Sequence, residues 1–113
     1  MSFTVQVIND TFAVSGQLSA ADMAAVAQAG YRSVIINRPD FEAGPQQPVA
    51  DVVMRAAHEA GLVAEYQPVI SGALTQEDAK RFAQLYTSLP KPILAYCRSG
   101  GRCFNLYQLS SQI

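Results

Sequence analysis

Apolar and polar positions along the chain fall into short segments, some with the period of two of a strand and some with the 3.6 of a helix, separated by glycine or proline. Residues 3–8 read as a strand, Asn9-Asp10 as a turn, and residues 11–14 as a second short strand. Ser19 opens a helix with Asp22 in the capping-box position, and Gly30 suits its end. Ser33-Val34-Ile35-Ile36-Asn37 is a β-branched run of the kind found in the middle of a sheet. The stretch Arg38-Pro39-Asp40-Phe41-Glu42-Ala43-Gly44-Pro45 breaks every periodicity and reads as a loop. Pro48 fits the first turn of the next helix, whose apolar stripe is Val49, Val52, Val53, Ala56 and Ala60, with Gly61 closing it. Residues 63–69 read as a strand ended by Pro68 and the loop Ile70-Ser71-Gly72. Thr75 then caps a third helix with Asp78 in support, its buried face carrying Phe82, Leu85, Tyr86 and Leu89 before Pro90 stops it. Residues 93–96 form the last strand, and a helix from about Arg102 to Ser110 completes the chain.

Strands that alternate with helices imply an α/β fold, with a mostly parallel central sheet and helices on both faces. In such folds ligands bind beyond the C-terminal ends of the strands, so the segment after Tyr96 is where chemistry is expected. The 113 residues suffice for one domain, and half of them are hydrophobic, enough for one real core. The formal charge of −1 carries none of the basic excess a nucleic-acid binder shows. No apolar run reaches the roughly 20 residues of a membrane span, and Met1-Ser2-Phe3-Thr4-Val5 lacks the features of a secretory signal, so a cytoplasmic location is expected.

Cys97 and Cys103 are the two cysteines. A lasting structural bridge is not expected of them in a cytoplasmic chain, and with His58 the one histidine they are too few for a zinc site. No metal or cofactor is expected. Reactivity is the remaining reading, and Cys97-Arg98-Ser99-Gly100-Gly101-Arg102-Cys103 supports it. A buried strand there runs through a glycine-containing loop into a helix. N–H groups from Arg98 to Arg102 can turn inward as an anion-binding nest, the helix adds its positive end, and Gly100 and Gly101 permit positive φ. A thiol at the mouth of such a nest is acidified to the nucleophilic thiolate, and Arg102 offers a planar fork to an oxyanion above the sulfur. Arg98 is expected at the pocket rim, where it attracts anions.

The run from Cys97 to Arg102 resembles the active loop of rhodanese-type sulfurtransferases. More of the chain is similar to the phosphatase-like, sulfurtransferase domain of the β-lactamase-hydrolase-like (Blh) proteins. The matching stretches are Phe12-Ala13-Val14-Ser15-Gly16-Gln17, Ile36-Asn37-Arg38-Pro39-Asp40, Pro68-Val69 with Gly72-Ala73, and Ala95-Tyr96-Cys97-Arg98-Ser99-Gly100. The resemblance implies a dual-specificity tyrosine phosphatase-like fold with the cysteine loop between the last strand and the last helix. It also implies a link to a persulfide dioxygenase, which for this single domain would be a separate partner.

Tyrosine phosphatases place five residues between the nucleophilic cysteine and the arginine, whereas this chain has four, from Arg98 to Gly101. The smaller ring suits a sulfane sulfur better than a phosphate. The loop Ile70-Ser71-Gly72-Ala73-Leu74, where dual-specificity phosphatases carry their acid, has no carboxylate. The sequence therefore favours sulfur transfer. A small anionic donor such as thiosulfate or a glutathione persulfide would load Cys97, and a thiol, sulfite or cyanide would unload it. A phosphatase acting through a phosphocysteine is the alternative, and a non-catalytic anion-binding or sulfur-carrier module is the third reading. Cys103 stands where the family has serine or threonine, either as a resolving thiol or as a tolerated small replacement. Arg38 and Asp40 are either a substrate-orienting pair or an ordinary loop salt bridge or cap. His58 is expected on the surface, and Tyr66 and Tyr96 in or beside the sheet. Phe104, Tyr107 and Leu109 on the last helix are candidates for docking a partner or a second copy.

Overall fold

The computed structural model describes residues 3–113; Met1 and Ser2, the first positions of the stretch inspected for a secretory signal, lie outside them. The elements follow the expected order: β1 (Val5–Asn9), β2 (Phe12–Ser15), a 3-10 turn at Ala20–Asp22 leading into α1 (Met23–Gln28), β3 (Ser33–Ile36), α2 (Ala50–Glu59), β4 (Val63–Tyr66), α3 (Gln76–Ser88), β5 (Ile93–Tyr96) and α4 (Gly101–Ser110). The sheet order is β1-β2-β5-β3-β4. Only β1 pairs antiparallel, on β2; β2, β5, β3 and β4 run parallel. The last strand in sequence is thus the middle one in space, buried at every position. Ser15 and Ile36 both pair with Tyr96, and Ile36 also pairs with Tyr66, so the four parallel strands end level with one another. Their loops meet at one edge of the sheet.

The pleat sorts the strand residues between two cores. Ala13, Val34, Ile36, Leu94 and Tyr96 face Met23 and Val26 of α1 and Val53 and Ala57 of α2. Phe12, Val14, Ile35, Ile93 and Ala95 face Phe82 of α3 and Leu106 of α4. On that second side Phe12 stacks on Tyr107 at 4.6 Å between ring centroids and meets Phe82 edge-on at 5.7 Å. Two of the three α4 residues considered for docking, Phe104 and Tyr107, are therefore packed against the core, while Leu109 remains exposed.

The second helix departs from expectation. It begins at Ala50, past Pro48, because the Asp40 carboxylate accepts a hydrogen bond from the Ala50 N–H at 2.8 Å and starts the helix there. Its buried stripe is Ala50, Val53 and Ala57, and Val52 is 54% exposed. The period fits either stripe, and the small residues let the helix approach the sheet closely. β4 ends at Tyr66, not at residue 69, since Pro68 has no N–H to give the ladder, although the Val69 N–H beyond it still donates to the Asn37 carbonyl at 3.0 Å. The capping pair on α3 is as expected: Thr75 Oγ1 accepts from the Asp78 N–H and Asp78 Oδ2 from the Thr75 N–H, both at 3.0 Å. Replacing Phe12 by alanine should cost about 3–5 kcal/mol of stability, whereas Val52→Ala should stay within about 0.5 kcal/mol. Urea unfolding of the two variants checks which residues form the core.

Candidate active site

Chain leaving the end of β5 curls around the sulfur of Cys97. Gly100 takes φ +95°, and a Cβ there would sit 3.4 Å from the Ser15 backbone and Val14. Gly101 does not share that conformation; it opens α4. Gly16 makes room on the other side, since a Cβ there would lie 3.0 Å from the Arg98 carbonyl, and the Gln17 N–H donates to that same oxygen at 3.3 Å. So held, the loop turns its donors inward: the Gly100 N–H donates to Cys97 Sγ at 3.1 Å, and the N–H groups of Ser99 and Cys103 also reach it.

These donors set the charge of the sulfur. The Cys103 thiol donating to Cys97 has the largest effect, burial opposes it, and the backbone N–H groups add to it, leaving the Cys97 pKa pushed down from 9.0 to about 5. Cys103 moves the other way, because burial and the neighbouring sulfur keep it protonated. One thiol is thus an anion at neutral pH and the other its donor. Both are free and buried.

Arg102, in the first turn of α4, is 9% exposed and lines the same cavity, whose volume is about 540 Å³. Its Nη1 donates to Glu42 Oε2 and to the Val69 carbonyl, and its Nη2 to Glu42 Oε1, all at 3.0 Å. Its Nε is buried with no hydrogen-bond partner. Glu42 Oε1 also accepts from Arg38 Nε at 2.9 Å, and Arg38 Nη1 donates to Gln17 Oε1 at 3.1 Å. The two guanidinium groups hold the Glu42 carboxyl below its ordinary pKa, Arg102 most strongly, and so keep it ionised.

The structure brings Cys97, Arg102, Arg98, Ser99 and Arg38 to one cavity, with Arg98 exposed at the rim. Gly100 and Cys103 do not line it; they act on the sulfur, Gly100 through its N–H and Cys103 through its thiol and N–H. Asp40 is elsewhere. It makes no salt bridge to Arg38; its carboxylate starts α2 and its N–H donates to the Tyr66 hydroxyl at 2.9 Å. The substrate-orienting pair is therefore not formed, and the partner of Arg38 is Glu42. His58 is exposed. Sequence reasoning missed Glu42 and Gln17. The signal for Glu42 was weak: one of two carboxylates in an irregular loop that leaves the same sheet edge as the cysteine loop. No cluster of His, Cys, Asp or Glu among the described residues could hold a metal ion. No helix among them is long and apolar enough to cross a membrane.

Alkylation by iodoacetamide should therefore follow a titration centred near pH 5 at Cys97. In Cys103→Ala the midpoint should move up toward the ~8.5 of free cysteine, and in Cys103→Ser, whose hydroxyl also donates, it should stay low. Because the pKa is lowered on folding, the thiolate's contribution to stability is complete above pH 9 and lost as the pH falls through about 5. Thiol reactivity and urea midpoints across that range test the sign.

The chain is 39% identical over 106 residues to the beta-lactamase hydrolase-like protein of Xylella fastidiosa, covering 94% of this chain but only 24% of that protein. Among solved structures it is similar to a candidate phosphatase (nma1982) of Neisseria meningitidis, with a TM-score of 0.82, 34% identity and coverage of 89% of this chain and 71% of that one. Pseudomonas aeruginosa TpbA, solved in complex with pTyr, shares the fold at a TM-score of 0.69 and 12% identity, over 96% of this chain and 64% of that one. The structural neighbours are protein tyrosine phosphatase-like in fold. Residues 4–113 match the family described as beta-lactamase hydrolase-like protein, phosphatase-like domain, and the chain belongs to that family.

Proposed function

We propose that the chain is a cysteine-dependent phosphatase whose nucleophile is Cys97. The observation that carries this reading is a sulfur ionised at neutral pH in a nest of N–H donors, beside an arginine with an unused buried donor. The phosphatase-like family and fold support it over the sulfur transfer that the sequence favoured. In the first step the thiolate attacks phosphorus, the bond from phosphorus to the ester oxygen breaks, and a phosphocysteine forms. The N–H groups of the loop and Arg102 hold the phosphoryl oxygens as charge builds on them. Water then displaces the sulfur, releasing inorganic phosphate and restoring the thiolate. Glu42, the one carboxylate lining the cavity, is held ionised by two arginines and is a poor proton donor. The preferred substrates are thus esters or anhydrides whose leaving oxygen departs without protonation, such as aryl or acyl phosphates.

Sulfur transfer is the second reading, and the four-residue spacing from Cys97 to Arg102 favours it. The thiolate would attack the outer sulfur of thiosulfate, the S–S bond would break, and sulfite would leave without needing a proton. Cys97 would then hold a persulfide that a thiol, sulfite or cyanide removes, with a persulfide dioxygenase as a partner for the product. Aryl-phosphate hydrolysis and thiosulfate–cyanide transfer, each for the native protein and Cys97→Ser, decide between them. Phosphate release above background in the native protein, lost in the variant, supports the phosphatase. Transfer alone makes it a sulfurtransferase, and neither activity leaves a module that binds anions or carries sulfur.

A further inference from the structure

The geometry points to a second anion subsite, made by Arg38 and Arg98 beside Gln17, and therefore to organic diphosphates as the substrates that fill the whole cavity. This rests on the proposed phosphatase reading and narrows it. The cavity measures about 540 Å³, within the range of roughly 300–1,000 Å³ of pockets that take small organic molecules. A lone tetrahedral anion over Cys97 leaves most of it empty. The wall selects the group that fills the remainder. Three guanidinium groups line it together with Ser71 and Ser99, Ala43 is the one aliphatic residue, and no aromatic residue among the described ones takes part. An aryl ring finds no apolar face to pack on there. A second charged group finds donors.

The three arginines divide between two flanks. Arg102 is held on the β4 side, where Glu42 meets it end-on through Nη1 and Nη2 and the Val69 carbonyl accepts from Nη1. Arg38 and Arg98 are gathered on the β2 side by one residue. Gln17 Oε1 accepts from Arg38 Nη1 at 3.1 Å, and the Gln17 N–H donates to the Arg98 carbonyl at 3.3 Å. Arg38 has its Nε on Glu42 and its Nη1 on Gln17, which leaves Nη2 without a partner among the described residues. The Arg98 side chain is exposed and forms no ion pair among them. Three guanidinium groups thus meet a single carboxylate in this cavity, a surplus of positive charge even with the Cys97 thiolate counted.

Leaving-group chemistry selects the same class. With Glu42 kept ionised, no acid lining the cavity can protonate a departing oxygen. When the thiolate attacks the terminal phosphorus of an alkyl diphosphate, the bond from that phosphorus to the bridging oxygen breaks, and its electron pair stays on the bridging oxygen. The group that leaves is an alkyl phosphate, whose second pKa of about 6 lets it depart as a dianion at neutral pH. Arg38 and Arg98 hold that dianion as its charge grows, while Arg102 and the loop N–H groups hold the phosphoryl group passing to sulfur. Water then displaces the sulfur, releasing inorganic phosphate and a proton and restoring the thiolate.

Methylenediphosphonate, whose carbon bridge is not cleaved, reads the subsite without turnover. In calorimetric titrations the native protein should bind it roughly tenfold more tightly than inorganic phosphate; Arg98→Ala should lose most of that advantage and Arg98→Lys should keep part of it. Turnover is followed with butyl diphosphate and 4-nitrophenyl phosphate. In Arg98→Ala kcat/KM for the diphosphate should fall roughly 10- to 100-fold, and about tenfold more than for the aryl ester. Equal binding of phosphate and diphosphonate by the native protein, or loss of both activities in the same proportion in Arg98→Ala, overturns the second subsite and leaves the phosphatase reading in place. A higher kcat/KM for the aryl ester than for the diphosphate overturns the substrate class. A native protein that shows the Arg98-dependent preference yet releases phosphate from neither substrate removes the phosphatase reading and keeps the subsite.

Discussion

A negatively charged sulfur out of contact with bulk water is tolerable only if hydrogen-bond donors already point at it, and the centre of this sheet imposes that condition on Cys97. β5 is buried along its whole length, so the residue that follows it starts in a low-dielectric setting that by itself would keep the thiol protonated. The opposite result, a pKa near 5, depends on donors from the turn and from the start of α4 acting together. Each depends in turn on the path of the backbone. Gly100 in its left-handed conformation brings its own N–H to the sulfur, and Gly16 lets the loop close against the end of β2. The strand order matters as much, because β5 can be central only if β2 and β3 flank it, and their C-terminal loops then deliver Gln17 and Arg38 to the same edge.

The charges above the sulfur form a second layer built on the first. Arg102 and Arg38 are both nearly buried, and two cations so close would be costly without an anion between them. Glu42 supplies it and accepts from both, so the pair is neutralised in part and fixed in direction. The exposed Arg98 is under no such constraint. Thiolate, arginines and carboxylate thus line one cavity.

What could be read from the sequence was whatever is local in it. Cys97, Gly100, Arg102 and Cys103 lie within one strand–turn–helix junction, and each has a physical reason to be there that its neighbours reinforce. Glu42 is 60 residues from its partner, and nothing in its immediate surroundings separates it from Asp40 two positions earlier. Only the fold does so, by spending Asp40 on the N–H of Ala50. The same holds for α2, where bulk suggested Val52 as core while the sheet accepted the smaller Ala50 and Ala57. Element order survived these errors because it rests on punctuation by glycine, proline and capping pairs, which act over a few residues.

Whether the site moves phosphoryl groups or sulfur turns on a conflict within it. A phosphatase acting on alkyl esters needs a carboxylic acid that carries a proton near neutral pH, whereas anchoring Arg102 end-on needs a carboxylate that does not. Glu42 is the one acidic residue lining the cavity, and its two arginine partners commit it to the second role. Asp40 cannot take the first without releasing the start of α2. On the proposed reading the chain would be confined to reactions whose leaving group departs as a stable anion, a condition that aryl and acyl phosphates share with thiosulfate. The shortened loop then bears on size rather than on acid–base chemistry: four residues in place of five leave one backbone N–H fewer between Cys97 and Arg102. A substrate that distributes its charge over fewer oxygens at the sulfur loses least from that.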